Sequence, residues 1–356
     1  MQHEVTRNDL VELFYRELLL CGVQPSQHVT IIHDLATFAG YPEAMEQAAE
    51  RAGALAYRIA LPIGRRYPIA GLPEGGHMAE SILSQPEALS QLQGEGLVVD
   101  MTWEGLVHSQ VRSAILRSGG RMIWVREPAD ILQRMFPRPA LRARCERALD
   151  LVRAGHRLRV TSAAGTELEV RLSQEMPALA QYGYTDTEGR WDHFAGGFVA
   201  FYPEESSISG RVVLDVGDIL LPPNVYVDQP IRVEIRQGWI EGIYGGGVIG
   251  EWMRQYLASW KDRNAYAVSH VGWGLDETAR WEALAFYDRS AIVGQDCRAF
   301  AGNFMWSTGP NVHRGRFTPA HLDIPMRGCT VELDGQTLIQ DGRLVHPDLR
   351  VEGGAM

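Results

Sequence analysis

The sequence predicts an α/β protein of two domains: an N-terminal doubly wound parallel-sheet domain over residues 1–155, then a β-rich, mostly antiparallel α+β domain over residues 156–356. Three observations carry this expectation. At 356 residues the chain is long enough for two full cores. Helical and strand patterns alternate through the first domain. Near His156 the texture changes to short strands separated by glycine-rich turns.

Taken in order, residues 8–20 have helical periodicity and 28–33 form a short β-branched run. An alanine- and glutamate-rich helix follows at 43–52, then a strand at 55–60. Residues 86–93 return to helix, 96–100 to strand, 109–116 to helix, and 121–125 give a fourth strand. Residues 130–153 read as further helix leading out of the domain. Strands alternating with helices imply a parallel sheet covered on both faces. No G-x-G-x-x-G or Walker-type loop opens any of these helices, so no bound nucleotide is indicated.

In the second half, strands at 157–161 and 167–171 flank Ala164-Gly165, which reads as a hairpin. Strands continue at 210–219, 230–236 and 239–242, and one helix at 250–259 interrupts them.

Composition excludes several classes. Lysine and arginine number 34 against 44 acids, a net charge of −10, so there is no nucleic-acid footprint. Cys21, Cys145, Cys297 and Cys329 are far apart and form no C-x-x-C pair, which argues against a zinc knuckle and a secreted disulfide framework. The first twenty residues form an amphipathic helix carrying Glu12, Arg16 and Glu17 rather than a signal peptide. No apolar run approaches the ~20 residues of a membrane span. The expectation is a soluble, cytoplasmic protein without nucleic-acid or membrane partners.

The chemistry concentrates in the second domain. Side chains two apart on a strand share a face, so His321 and Asp323 can reach one metal while Leu322 packs behind them. His270, in Ser269-His270-Val271, would complete two imidazoles and one carboxylate, the set that usually holds non-haem Fe(II) with the opposite face open. The bland alternative for His270 is a buried strand histidine bonded to a carbonyl. His346-Pro347-Asp348 repeats the spacing, but its proline removes a ladder donor, so this copy reads as an edge or loop at the surface. Gly272 and Gly274 suggest a chain passing close beside something. Residues 300–311 mix aromatic packing with Ser307, Thr308 and Asn311, the profile of a pocket wall; the plain reading is a strand ending in a Gly309-Pro310 turn. His108, beyond the strand end at Asp100, and His193, in a loop with aromatics and two glycines, can both move protons near neutral pH, although an isolated histidine is more often structural.

Three blocks turn these hints into a resemblance: residues 269–275 (SHVGWGL), 304–311 (FMWSTGPN) and 318–325 (TPAHLDIP). With Tyr182-Gly183-Tyr184, residues 189–193 (GRWDH) and 213–219 (VLDVGDI), they resemble the signature blocks of the 2,5-dihydroxypyridine 5,6-dioxygenase family, and the similarity runs to about Asp334. The resemblance implies the scaffold of the thermophilic-type metalloaminopeptidases and one Fe(II) per chain, held by His270, His321 and Asp323. It also implies insertion of both atoms of O2 across the C5–C6 bond of a 5-hydroxylated pyridine. For 2,5-dihydroxypyridine the product is N-formylmaleamic acid, in a nicotinate-type degradation route. His108 matches the family's acid–base histidine, which takes the hydroxyl proton and later returns one. His193 is expected to orient substrate or O2, and Ser307 and Thr308 to bind the ring nitrogen or the 2-oxygen. Residues 103–109 and the tail after Asp334 depart from the pattern, which leaves a trihydroxypyridine or a carboxylated hydroxypyridine open. The relatives imply a homo-oligomer.

Two other readings compete. A dinuclear aminopeptidase shares the scaffold and the His-x-Asp motif, but its ions sit ~3.5–4 Å apart on bridging carboxylates. Where those peptidases place a glutamate after a Leu-Pro turn, this chain has Leu221-Pro222-Pro223-Asn224. A non-catalytic binding protein on the same fold predicts no turnover.

Overall fold

The computed structural model describes residues 5–63 and 77–351, which form two compact units. Among the described residues the first unit comprises 5–63, 77–137 and 183–196, and the second 138–182 and 197–351. The division therefore differs from a single cut after residue 155. The chain crosses over at residue 138, and residues 183–196 return to the first unit.

The first unit is built on a five-stranded sheet in the spatial order Leu55–Leu61, His28–Asp34, Leu97–Asp100, Arg121–Val125, Trp191–Phe194, and every pair is parallel. Two of its inner strands, Leu97–Asp100 and Arg121–Val125, are buried along their whole length, as a sheet covered on both faces requires. One face carries Ile32, Val98 and Met122 against Ala79, Leu83, Val111 and Ile115 from helices His77–Leu83 and Gln110–Arg117. The helix Arg7–Leu20 begins with a capping box in which the Thr6 hydroxyl accepts from Asp9 N and the Asp9 carboxylate accepts from Thr6 N. It buries Leu10, Leu13, Phe14 and Leu18, spaced as one helical stripe.

Two sequence expectations need correction here. His193 is not in a loop; it lies on Trp191–Phe194, the fifth parallel strand. The span 130–153 is two helices, Ala129–Arg134 and Pro139–Ala154, because Pro137 and Pro139 interrupt the ladder between them.

The second unit is antiparallel throughout its two large sheets. An eight-stranded sheet runs from Trp239–Gly245 at one edge to Arg343–Leu344 at the other. It contains the expected hairpin of Arg157–Ser162 with Glu167–Arg171. A five-stranded sheet has the order Leu322–Met326, Phe304–Thr308, Val268–Gly274, Phe198–Phe201, Ala178–Gln181. Gly272 and Gly274 lie on its central strand; a Cβ at either would overlap a neighbouring carbonyl, of Val199 or of Phe300, so only glycine lets these backbones approach. No helix among the described residues is long and apolar enough to cross a membrane.

Candidate metal centre

His270 sits on the central strand of the five-stranded sheet, at a β-bulge. Pairing runs from Val268 opposite Thr308 to Val271 opposite Trp306, so Ser269 and His270 together oppose Ser307. A bulge re-aims a side chain and leaves ladder groups without their usual partners. The Ser307 hydroxyl takes those groups, accepting from His270 N at 2.9 Å and donating to His270 O at 3.3 Å.

Ser307 also stands opposite Asp323, so the two side chains share a face. Asp323 is the second residue of Leu322–Met326, and His321 immediately precedes that strand. Three buried donor atoms converge: His270 Nε2 lies 3.1 Å and His321 Nε2 3.3 Å from Asp323 Oδ1. Asp323 Oδ1 accepts no hydrogen bond of ordinary geometry among the described residues. Its other oxygen, Oδ2, accepts from Arg298 Nε at 2.8 Å. His321 Nδ1 faces the Thr308 carbonyl at 2.8 Å, which holds the proton on Nδ1 and leaves Nε2 as a lone-pair donor. The Tyr256 hydroxyl brackets the His321 backbone, accepting from its N–H at 3.1 Å and donating to its carbonyl at 3.2 Å.

Electrostatics keep this set in the form a cation needs. Burial lowers the His270 pKa, favouring neutral imidazole over the opposing pull of the Asp323 charge. Burial alone would raise the Asp323 pKa, but His321, Arg298 and His270 outweigh it and hold the carboxyl well below the usual carboxylate range. The His270 imidazole, the His321 Nε2 left free by the Nδ1 contact with the Thr308 carbonyl, and one buried carboxylate oxygen without an ordinary hydrogen bond form a donor set that fits a divalent metal ion.

The sequence profile of the 2,5-dihydroxypyridine 5,6-dioxygenase family matches residues 9–346. The chain belongs to that family. The 2,5-dihydroxypyridine 5,6-dioxygenase of Pseudomonas putida KT2440 is 37% identical over 347 residues, which span 97% of this chain and 98% of that protein. The solved structure of 2,5-dihydroxypyridine dioxygenase from the same organism superposes with a TM-score of 0.90 at 36% identity, covering 98% of this chain and 100% of that one. Wild-type AmpT from Thermus thermophilus shares the fold, with a TM-score of 0.64 at 14% identity, covering 95% of this chain and 99% of that one.

Within this member of the dioxygenase family, the remaining candidates separate. Thr308 and Ser307 are successive strand residues and point to opposite faces; Thr308 stands opposite Leu322, on the face away from Asp323. What it brings to the triad is the carbonyl that meets His321 Nδ1. His108 and His193 are buried residues of the first unit. The loop leading to His108 is pinned at the carboxyl ends of two parallel strands. Asp100 accepts from Thr102 N, Thr102 Oγ1 and Leu106 N at 2.7–2.9 Å, and Asp34 accepts from Trp103 N at 2.8 Å. Gly105, at φ +70°, lies so close to Trp124 that a Cβ would overlap the indole. Burial raises the Asp100 pKa to about 6, with those hydrogen bonds pulling the other way. Ser109 then caps the helix Gln110–Arg117 through Arg112 N at 3.1 Å. His193 packs edge-on to Trp191 and tilted to Trp124, at ring-centroid distances of 4.9 and 5.3 Å.

Asn224 serves the structure. Its amide donates to the Arg289 and Ile292 carbonyls at 2.7 and 2.8 Å, which a glutamate carboxylate has no hydrogen to do. Arg298 and Tyr256 escaped sequence reading. They act on the ligands across 25 and 65 residues of chain, and no spacing rule announces such a contact.

Proposed function

We propose that this chain is an Fe(II)-dependent dioxygenase that opens 2,5-dihydroxypyridine, or a close hydroxypyridine, between C5 and C6 with O2 to give N-formylmaleamic acid. The family and the relative at 37% identity support a ring-cleaving dioxygenase. The observation that carries the metal is the convergence of His270 Nε2 and His321 Nε2 on Asp323 Oδ1. These three residues would hold one iron per chain. Bound there, Fe(II) supplies the redox capacity that brings O2 and the aromatic ring into reaction and lowers the pKa of a coordinated hydroxyl.

The chain's own groups supply the rest. His108 takes the proton of the substrate's 5-hydroxyl and later returns one, a role suited to an imidazole at neutral pH; the pinned loop holds its backbone in place. His193 orients the substrate or O2, its ring fixed by Trp191 and Trp124. The Ser307 hydroxyl, on the face of Asp323, gives its hydrogen to His270 O and accepts from His270 N, and its remaining lone pair is what it offers to a donor on the ring substituents. Addition of O2 to the ring accounts for every atom of the product, so no external reductant is required. Four free, buried cysteines accord with a reducing, cytoplasmic compartment, and the proposed substrate places the reaction in nicotinate-type degradation. The same reading carries a homo-oligomer.

Purified protein loaded anaerobically with Fe(II) is given 2,5-dihydroxypyridine, and O2 uptake is followed with ring absorbance. One O2 consumed per ring, abolished by His321→Ala, is the expected result. No uptake despite one bound iron would remove this substrate, and two bound metals with peptide cleavage would move the protein to the aminopeptidases.

A further inference from the structure

Arg298 is a buried arginine whose two hydrogen bonds are both directed. Its Nε donates to Asp323 Oδ2 at 2.8 Å and its Nη1 to the Val293 carbonyl. The segment that carries it is fixed at both ends. Asn303 Nδ2 donates to the Arg298 carbonyl at 3.1 Å, and the Asn224 amide holds the Arg289 and Ile292 carbonyls beside Val293. The guanidinium can therefore neither swing away nor be replaced by water without breaking this set.

A carboxylate chelates one cation, or bridges two through separate oxygens, only when both oxygens are available. Here the oxygens are divided: Oδ1 faces the imidazoles of His270 and His321, and Oδ2 is engaged by a guanidinium in a charge-assisted hydrogen bond. A second cation approaching Oδ2 would meet a permanent positive charge in a buried setting where such repulsion is poorly screened. We infer that Arg298 is a positioning residue that makes Asp323 a one-oxygen ligand and limits the centre to a single divalent ion. The inference rests on the metal reading of the triad.

Metal-free wild type, Arg298→Ala and Arg298→Lys are titrated anaerobically with Co(II), reading ion content per chain, affinity and the Co(II) visible absorption. Wild type is expected to saturate at one ion even in excess. Arg298→Ala should hold its first ion about 10–100-fold more weakly, the usual cost of losing an outer partner of a ligand. Its absorption should change as Oδ2 becomes free to coordinate. Arg298→Lys keeps the charge without the planar fork, so it should keep the one-ion limit at intermediate affinity. A folded Arg298→Ala protein with wild-type affinity and spectrum would overturn the inference, as would a second ion in wild type. If Arg298→Ala does not fold, Arg298→Lys decides: unchanged affinity overturns the inference, weakened one-ion binding supports it. The same wild-type preparation, loaded with Fe(II) and assayed for O2 uptake, separates the two readings. One tight ion without ring cleavage sinks the proposed substrate and leaves Arg298 its role; no bound ion at all removes both.

Discussion

Two His-x-Asp triplets lie twenty-five residues apart in this chain, and their geometries have nothing in common. In His321-Leu322-Asp323 the backbone is extended, so both polar side chains emerge on one face and His321 Nε2 comes within 3.3 Å of Asp323 Oδ1. In His346-Pro347-Asp348 the chain turns. Asp348 N donates to His346 Nδ1 at 3.2 Å, closing the triplet on itself, while the Asp348 carboxylate pairs with Arg147 at 2.8 Å on the surface. Spacing supplies the opportunity for chelation; backbone conformation and a third donor on a neighbouring strand decide whether it is used. His270 supplies that donor to the first triplet.

The sharpest way to break the comparison is to remove the equivalent histidine from each triplet. His321→Ala should lower metal affinity by more than the ~100-fold that loss of an outer partner costs, because a ligand itself is gone. His346→Ala should leave affinity unchanged, whatever it does to packing around that buried ring. The same pair can be read by melting with and without a chelator. A ligand present at 100 times its Kd stabilises the native state by about 2.7 kcal/mol. Metal removal should therefore lower the Tm of wild type and of His346→Ala alike and leave His321→Ala unmoved. Equal loss of metal binding in both variants would mean that the first triplet is no more a metal site than the second.

What the sequence exposed and what it hid follow the same division between backbone and contact. Four of the five parallel strands were readable because β-branched runs stand out between helical patterns. The fifth, Trp191–Phe194, is four residues long and borders two glycines, so its aromatics looked like a loop. Its return to the first unit is a matter of long-range pairing with Arg121–Val125, which no local pattern encodes. At the centre, His321 and Asp323 pair from spacing alone, His270 is a candidate third donor against a bland strand-histidine reading, and the signature blocks carry the same three residues. The face that Thr308 presents follows from strand register, which no local pattern encodes. Arg298 and Tyr256 were invisible because each contributes one contact from a distant element.

A smaller break comes from the bulge. Ser307→Ala removes the hydroxyl that serves His270 N and O, leaving a buried backbone N–H without that partner, at a cost of about 1–3 kcal/mol. Metal affinity or turnover should fall about 10–100-fold as His270 loses its fixed direction. Ser307→Thr, which restores the hydroxyl, should recover part of both; wild-type affinity in Ser307→Ala would show that the bulge aims His270 unaided. Next in size is Tyr256→Phe, which deletes both hydrogen bonds to the His321 backbone but keeps the ring stacked on Trp252. About 1–2 kcal/mol of stability should be lost by denaturant melts, with the drop in metal affinity smaller than in Ser307→Ala. An unchanged midpoint would mean that the strand alone holds His321.

The smallest expected effect lies in the second triplet. The Asp348 and Arg147 side chains are 43% and 48% exposed, so their attraction is screened by water and offset by the entropy of holding two mobile side chains. Asp348→Ala should change stability by less than about 0.5 kcal/mol and leave metal affinity and turnover alone, although its backbone N–H still meets His346 Nδ1. Asp323→Ala makes the opposite test of the same residue type at the same spacing. Its carboxylate is buried between two imidazoles and a guanidinium, so removing it leaves the Arg298 charge without its counterion, a loss of about 3–5 kcal/mol for a buried pair, before any metal is considered. If the two aspartate variants melted alike in the absence of metal, burial and partnership would not be what separates the triplets, and the contrast would have to lie in the metal alone.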